Sequence, residues 1–406
     1  MESFSRWRTT FSSLENHNYR WYWLSSTFAA TVMQMNLVAR SWLVFDLTDS
    51  FLALGVVSFC AGVPLFVLSP FGGAIADRMD KRNLIIFSQI LMSVGVLTIA
   101  TLIFVDVIAF WHLVIAALFN GVLLAFNLPA RQSIVPQLVE RRLVMNAVAL
   151  NSGSQNMNRI VAPALAGVMI GVIGMGGVYF MTVGFALVSA VLMLFVPSVR
   201  ARPTEERSAL GNEVKEGLQY VRHNEALRAL MIMAIIPIVF GMPYLMLMSG
   251  YAKEVLGVEN EGFGGLLSMA GVGAVIGSIV IANMTDFNRK GWLLIGAAVV
   301  FGISLMLFAG ANNFVLALFL MMGVGLGNAS YLSVNNSLLL LNSDERMHGR
   351  VMSIYMMSIA VMPMAVLPMG ALSDVVGAQL VIGVGGAILL LFTVAMALLR
   401  PTLRKL

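Results

Sequence analysis

The sequence predicts an all-α membrane protein with about twelve transmembrane helices in two six-helix halves. Three observations support this prediction: the apolar composition, the placement of the basic residues, and a repeat at about half the chain length. Of the 406 residues, 59% are hydrophobic and only 11% are charged. A soluble protein of this length needs far more polar surface, so a soluble class is excluded.

Apolar stretches follow one another along the whole chain, and each is close to the roughly 20 residues that a spanning helix needs. They leave room for twelve spans and for no separate soluble domain. The predicted spans are 22–46, 51–76, 83–104, 108–130, 146–170, 177–197, 228–250, 262–284, 291–310, 314–340, 349–373 and 378–399.

The lysines and arginines predict the orientation of these spans. Of the 25 basic residues, all but Lys253, Arg40 and Arg159 lie in alternate polar gaps, which is the positive-inside pattern. It predicts a multi-pass protein of the cytoplasmic (plasma or inner) membrane with both termini in the cytoplasm. Contact with the lipid bilayer explains the net charge of +5 better than nucleic-acid binding does.

The longest polar gap divides the spans six and six. It predicts an N-terminal bundle over 1–197, a cytoplasmic central loop over 198–227 and a C-terminal bundle over 228–406. The loop has apolar residues at helical spacing among charged ones, which predicts an amphipathic helix. These apolar residues are Leu210, Val214, Leu218 and Val221.

The two halves resemble each other at an offset of 205 residues, where Glu140 and Glu345 open similar segments. At the same offset, Pro163 in span 5 corresponds to Pro368 in span 11. Several matches near one offset indicate a duplicated six-helix unit, an arrangement found in secondary transporters.

The segment between spans 2 and 3 reads Gly73-Ala-Ile-Ala-Asp77-Arg78-Met-Asp80-Lys81-Arg82. Together with the twelve spans and the central loop, it resembles the major facilitator superfamily, whose signature there is G-x-L-x-D-R-x-G-R-R. Further stretches, among them Asn127-Leu-Pro-Ala-Arg131, resemble its enterobactin-exporter-like branch of drug and siderophore efflux. The resemblance runs from span 1 to span 12 and implies the major facilitator fold, with two pseudo-symmetric six-helix bundles and proton antiport.

Two positions depart from the superfamily pattern. Asp80 replaces the second glycine of the signature, and Ala117 stands where proton-coupled members carry an arginine in span 4. The second departure weakens the argument for a proton-coupled mechanism.

By the same resemblance, the loop after span 2 forms a cytoplasmic gate. Asp77 is expected to face the start of span 11, where a helix amino terminus favours a carboxylate and Arg350 offers a charge-assisted hydrogen bond. The alternative is that the basic residues only orient the helices. The candidate gate residues are Gly73, Asp77, Arg78, Asp80, Arg82 and Arg350.

Polar residues within the spans mark a candidate substrate cavity. Arg40 and Arg159 are the most informative, because a charge at membrane depth normally faces the interior of the bundle. The alternative is structural, with each arginine bonded to helix carbonyls or to Asp46. For the other residues, interhelical hydrogen bonding or lipid contact is the alternative. The candidates are Met33, Asn36, Arg40, Asn120, Asn127, Asn156, Arg159, Tyr244, Met248, Tyr331, Asn335 and Tyr355.

The acidic residues limit both the substrate and the coupling. No acid lies deep in a predicted span, which favours a neutral, zwitterionic or anionic substrate over a cationic one. If protons drive export, Asp46 is the coupling candidate, because it closes span 1 six residues after Arg40. The alternative is a solvated helix end, and Asp374 at the end of span 11 is a second candidate.

The glycine-rich run Gly271-Val-Gly273-Ala-Val-Ile-Gly277 lies inside span 8 with no strand before it, which excludes a nucleotide loop. Close helix packing explains it better. By resemblance, span 8 is expected to meet span 5 at Gly153, Ala162 and Gly167 across the interface of the halves. The candidate hinge residues at this interface are Pro163, Gly167, Gly273 and Gly277.

These observations predict a secondary transporter, not an enzyme, that exports a small amphipathic molecule, a drug-like compound or siderophore, by alternating access. An importer or facilitator, or a non-transporting scaffold or sensor, stays an alternative. The expected partners are the substrate, protons and the lipid bilayer, and the expected state is a monomer. No metal or other cofactor is expected, since Cys60 is the single cysteine and the four histidines lie at or outside the span ends.

Overall fold

The computed structural model is all-helical over the residues that it describes, which confirms the predicted class. It describes residues 12–198, 210–284, 287, 289–344, 347–359 and 361–405. The side chains at positions 70, 73, 74, 76, 77, 210–215 and 405 lie outside the description.

The first half of the chain forms five long helices. They are α1 (His17–Thr48), α2 (Phe51–Arg78), α3 (Lys81–Phe104), α4 (Phe110–Leu138) and α5 (Val144–Leu194). The helix α4 continues well beyond the predicted end of span 4 at 130, so Arg131 lies within a helix and not in a loop.

The second half forms shorter helices. They are α6 (Leu210–His223), α7 (Glu225–Ile236), α8 (Tyr244–Glu254), α9 (Asn260–Asn283), α10 (Lys290–Ala309), α11 (Phe314–Leu341), α12 (His348–Ile359), α13 (Met362–Val376), α14 (Ala378–Leu399) and α15 (Pro401–Lys405). The helix α6 lies where the periodicity of the central loop predicts one.

Ten helical stretches of the described chain are long and apolar enough to cross a membrane. One of them, Arg141–Leu194, has 54 residues, about twice the length that a span needs. The helix α1 has 32 residues but is more polar, and it is not among the ten. With α1 added and the 54-residue stretch counted as two, these helices match the twelve predicted spans.

A single glycine separates predicted spans 5 and 6 within α5. Gly174 has φ +73° and ψ +170°, a conformation essentially confined to glycine. Helical backbone continues on both sides, so a kink at one residue, and not a loop, separates the two helical parts.

Predicted spans 7 and 11 are each divided in two. Between α7 and α8 lies a π-helical segment, Pro237–Gly241, in which the Met242 amide donates to the Pro237 carbonyl, five residues back, at 2.7 Å. Proline lacks an amide hydrogen and clashes with the preceding turn, so Pro237 ends the regular ladder of α7. Pro363 has the same effect at the second position of α13.

The contacts divide the chain into two compact units. The first comprises Met1–Leu43 and Val63–Glu205, and the second comprises Val44–Gly62 and Glu206–Leu406. The end of α1 and the first part of α2 therefore belong, by their contacts, with the second unit. The predicted domain boundaries at 197 and 227 stay a prediction.

One close helix contact recurs in both units at the predicted repeat offset. A Cβ added at Gly72 of α2 would overlap the Ala125 carbonyl of α4. In the second unit, a Cβ at Gly277 of α9 would lie 2.7 Å from the Ser330 hydroxyl of α11. Both residues of the second pair follow those of the first by 205 positions. The duplicated sequence thus repeats a packing contact.

Candidate functional site

Polar side chains from three helices of the first unit line one cavity. Asn36 and Arg40 lie one turn apart on α1, Asn120 lies on α4, and Tyr179 lies on α5. The structure thereby brings three of the predicted cavity residues together. Apolar residues complete the lining, namely Met92, Gly95, Val96, Ile99, Leu113, Ala116 and Phe119.

The cavity is small, with a volume of about 30 Å³. One water molecule needs about 10–15 Å³ by the same kind of measure, whereas pockets for drug-sized ligands have about 300–1,000 Å³. In this structure the cavity can therefore receive one functional group of a ligand, but not the whole molecule.

Arg40 supplies the positive charge of this cavity. Its side chain is half-buried, and it interacts electrostatically with the phenol of Tyr179. Among the described carboxylates, none forms an ion pair with it. Asp46, its predicted structural partner, accepts a hydrogen bond from Lys253 at 3.0 Å. A cation at the predicted membrane depth with no counter-ion among the described residues is costly, which makes Arg40 a candidate functional group.

Met33, Asn156 and Arg159 are not among the residues that line this cavity. Met33 and Arg159 are exposed, and Asn156 is half-buried. A different face of α5 contacts α1 through polar pairs. These pairs are Ser26 with Asn151 at 3.0 Å, Thr27 with Ser154 at 2.7 Å, and Thr31 with Asn158 at 2.6 Å.

Asn127 joins helices and is not among the residues that line this cavity. Its amide nitrogen donates to the Ser88 hydroxyl of α3 at 2.6 Å, and its amide oxygen accepts from Arg131 Nε at 3.0 Å. The two terminal nitrogens of Arg131 are buried, and neither has a hydrogen-bond partner within the described residues. The interhelical alternative for Asn127 is thus the one that its contacts favour.

The predicted cavity residues of the second unit are buried. Tyr331 donates its hydroxyl to the Met233 carbonyl of α7 at 2.7 Å. Asn335 and Tyr355 are neighbours, yet both amide atoms and the hydroxyl lack hydrogen-bond partners in the described part of the chain. Tyr244 and Met248, on α8, are 3% and 0% exposed. Buried polar atoms without partners usually hold water or contact a ligand in another state.

The loop between α2 and α3 is fixed to the end of α5. Asp80 accepts a hydrogen bond from the Asn83 amide at 3.1 Å, which caps α3, and it also accepts one from the Ser198 hydroxyl. Arg82 donates to the carbonyls of Met193 and Leu194. These carbonyls end a helix, where a cation is favourable.

The remaining gate candidates are in different surroundings. Arg78 is exposed at the end of α2, and the side chains of Gly73 and Asp77 lie outside the description. Arg350 of α12 pairs with Glu216 of α6 at 2.5 Å. A Cβ at Gly217 would lie 3.2 Å from the Arg350 Cβ, so α6 packs directly on α12. The predicted contact between Asp77 and Arg350 stays a prediction.

The hinge candidates are all in close-packed positions. Pro163 and Gly167 are buried in α5. A Cβ at Gly273 would overlap the Met322 carbonyl, and one at Gly277 would lie 2.6 Å from the Leu326 carbonyl. Both glycines therefore allow close contact between α9 and α11 within the second unit. Their expected contact with α5 stays a prediction.

A sequence model of the transmembrane secretion effector family matches residues 8–406. The chain belongs to this family. It is therefore a transporter of the major facilitator superfamily and not an enzyme, as the sequence predicted.

Curated relatives of this transporter include exporters and a siderophore transporter. The staphyloferrin A transporter of Staphylococcus aureus is 26% identical over 338 residues, which cover 82% of this chain and 84% of that protein. The multidrug efflux pump Tap of Mycolicibacterium fortuitum is 25% identical, covering 79% and 80%. Macrolide efflux protein A of Streptococcus pyogenes is 20% identical, covering 75% and 74%.

Solved structures confirm the major facilitator fold of this transporter. A mutant of the nucleoside transporter NupG superimposes with a TM-score of 0.77 at 10% identity, covering 94% of this chain and 99% of that one. A bacterial homologue of the human lysosomal transporter Spinster, inward-facing and unoccupied, has a TM-score of 0.72 at 13% identity, covering 95% and 98%. At such identities the likeness concerns the fold alone.

Sequence reasoning missed two residues of the transporter. Tyr179 lines the cavity, and Arg131 donates a hydrogen bond to Asn127. Tyr179 lies near the predicted start of span 6, and neither it nor Thr182, its polar neighbour at helical spacing, was selected as a candidate. Arg131 was assigned to a cytoplasmic gap because the prediction ended span 4 at 130. In the structure, α4 continues to Leu138 and passes through Pro129 and Pro136.

Proposed function

We propose that this transporter exports a small amphipathic molecule, a drug-like compound or siderophore that bears an anionic or zwitterionic group. The observation that carries the proposal is Arg40, a cation in an interior cavity without a described counter-ion. A carboxylate of the substrate supplies the missing charge and accepts hydrogen bonds from the guanidinium.

The other polar groups of the cavity can also bind the carboxylate of the substrate. The amides of Asn36 and Asn120 and the hydroxyl of Tyr179 can each donate a hydrogen bond to an oxygen. Because the cavity admits only one functional group, the apolar remainder of the substrate must lie outside it. This division of polar and apolar parts is the reason for proposing an amphipathic molecule.

The relatives support export as the direction. One is named as a multidrug efflux pump, another as a macrolide efflux protein, and a third as a staphyloferrin A transporter. We propose that transport follows alternating access, that both termini are cytoplasmic, and that the protein acts as a monomer. Import, facilitated diffusion and a scaffold or sensor role are the alternatives that the following experiment distinguishes.

Arg40→Gln should reduce export of a carboxylate-bearing compound by roughly tenfold or more, because a hydrogen bond to a charged group contributes about 1.5–3 kcal/mol. Export of the methyl ester of the same compound should change little. Arg40→Lys should retain part of the activity. Efflux from loaded cells, normalised to the amount of folded protein on size-exclusion chromatography, measures this.

Arg142→Gln is the matched control, since Arg142 lies in the short 3₁₀ helix Arg141–Leu143 with its side chain 78% exposed. Equal loss for the carboxylate and its ester in Arg40→Gln would contradict the substrate class and support a structural role for Arg40. Uptake in place of efflux would support the importer alternative. No movement of any compound by the wild type would support the scaffold alternative.

We further propose that the cytoplasmic gate forms when Asp77 approaches Arg350. The Arg350–Glu216 ion pair at 2.5 Å bears on this proposal, because Glu216 and Asp77 would then compete for one guanidinium. The pair is partly exposed, with side chains 32% and 53% accessible, so it contributes little to stability and can exchange partners.

A further inference from the structure

The carboxylate of Asp374, near the end of α13, caps the start of α2. One oxygen accepts from the Phe51 amide at 2.6 Å, and the other accepts from the Leu52 amide at 3.0 Å and the Ser50 hydroxyl at 2.7 Å. The first amides of a helix have no partner within the helix, and a negative charge is favourable there. A single carboxylate therefore holds the first turn of α2 by three hydrogen bonds.

Glycines allow α2 and α13 to pack closely along the same segments. A Cβ at Gly55 would lie 2.8 Å from the Leu367 Cα, and one at Gly62 would lie 2.7 Å from the Pro363 Cβ. A Cβ at Gly370 would overlap the Phe51 carbonyl. Positions 51, 55 and 62 of α2 thus face 370, 367 and 363 of α13, and the two segments run antiparallel.

The outer end of α1 is held in the second unit as well. Lys253 of α8 pairs with Asp46 at 3.0 Å and with Asp49 at 3.2 Å. A Cβ at Gly250 would overlap the rings of Phe45 and Phe51, which lie 5.0 Å apart between centroids. Residues 44–62 are therefore attached to both α8 and α13.

The helices α1 and α2 both cross from one unit to the other without a break. Residues up to 43 of α1 and from 63 of α2 belong to the first unit, whereas 44–62 belong to the second. Helical backbone continues across both boundaries, although Pro64 in α2 removes one backbone hydrogen bond next to its boundary. A displacement of the first unit would therefore be transmitted along these helices and would draw residues 44–62 away from α8 and α13.

We infer that Asp374 is the outer gate residue of this transporter: its bonds to the start of α2 stabilise the state closed to the outside and must break before that side opens. This inference rests on the proposed alternating access. Asp374 suits the role because its side chain is exposed and water can replace its three donors, whereas a buried carboxylate would have no replacement.

The test measures the accessibility of a buried position near the cap. In a Cys60→Ser background, Ala53→Cys places one thiol in the first turn of α2, where Ala53 is 7% exposed. A membrane-impermeant maleimide is added from the outside to intact cells. Asp374→Asn should accelerate labelling roughly tenfold, since losing one charge-assisted bond shifts a population by about that factor.

Asp106→Asn is the matched control, because Asp106 is an exposed acid with φ +56°, which asparagine also tolerates. Ser50→Ala, which removes one donor of three, should give an intermediate rate and covers the case that Asp374→Asn folds poorly. Rates equal to that of the control in the folded variants would overturn the inference. Labelling needs no substrate, so its result is independent of whether the proposed export is found.

Discussion

Asp80 combines a departure from the superfamily signature with a defined structural task. It stands where the signature has glycine, and its side chain caps α3 by accepting from the Asn83 amide at 3.1 Å. Its backbone, with φ −62° and ψ 115°, has the extended conformation typical of a cap residue. The glycine of the signature gives a flexible backbone at this position. Asp80 instead accepts a hydrogen bond from the first turn of α3.

Asp80→Ala should lower the free energy of unfolding by about 0.5–2 kcal/mol, the usual effect of losing such a cap. Asp80→Ser should retain most of the stability, because a serine hydroxyl accepts the same bond, and Asp80→Gly should lose only a few tenths of a kcal/mol. Thermal unfolding midpoints in detergent measure the series. An alanine variant as stable as the serine variant would show that the cap has no measurable effect.

At the scale of residues, the sequence could predict the polar lining of the cavity but not all of it. Asn36 and Arg40 share one face of α1 by spacing alone, and the high energy of a charge in the membrane directs Arg40 inward. Tyr179 could not be predicted, because a single tyrosine at a helix end has many equally favourable positions. Asn127 was predicted as a cavity residue, yet its amide bonds Ser88 and Arg131, a choice that only packing decides.

The kink inside α5 lies at one glycine. Gly174 has φ +73° and ψ +170°, while a Cβ added there would meet no atom within 4 Å. Gly174→Ala should therefore destabilise the protein through backbone strain alone, by about 1–3 kcal/mol. The thermal unfolding midpoint of purified protein in detergent checks this.

Gly184→Ala is the control for this substitution. Gly184 lies in the regular helix of α5 and also has no atom within 4 Å of an added Cβ. Because alanine is favoured over glycine in a helix by roughly 0.5–1 kcal/mol, this variant should be as stable as the wild type or slightly more so. Equal effects of the two substitutions would contradict the strain argument.

At the scale of elements, the apolar stretches located the helices well and their interruptions poorly. The twelve predicted spans correspond to helices, since hydrophobic length is a direct requirement of the bilayer. The breaks of spans 7 and 11 were missed, although Pro237 and Pro363 lie where they occur. Proline alone was an ambiguous signal, because α4 continues through two prolines while α7 ends at one.

At the scale of the whole molecule, Asp46 and Asp374 lie at the predicted outer ends of spans 1 and 11. Asp46 and Asp49 share Lys253, at 3.0 and 3.2 Å. The two carboxylates differ in their connection to the cavity. Asp46 lies on α1, the helix that carries Arg40, whereas Asp49 follows the end of that helix. The sequence could predict these acidic span ends and the duplication, but not which of the two carboxylates takes part in coupling.

If protons drive export, a titratable group must change its environment between the two states of the transporter. We expect Asp46 to be that group, since movement of α1 would separate its carboxylate from Lys253, with which it now forms an ion pair. In vesicles with an imposed pH gradient, Asp46→Asn should abolish uphill transport and preserve downhill exchange. Asp49→Asn removes the other partner of Lys253 and should keep both activities. Indifference of the wild type to the gradient would rule out proton antiport altogether. Normal uphill transport by Asp46→Asn would instead leave antiport intact and exclude Asp46 as the coupling residue.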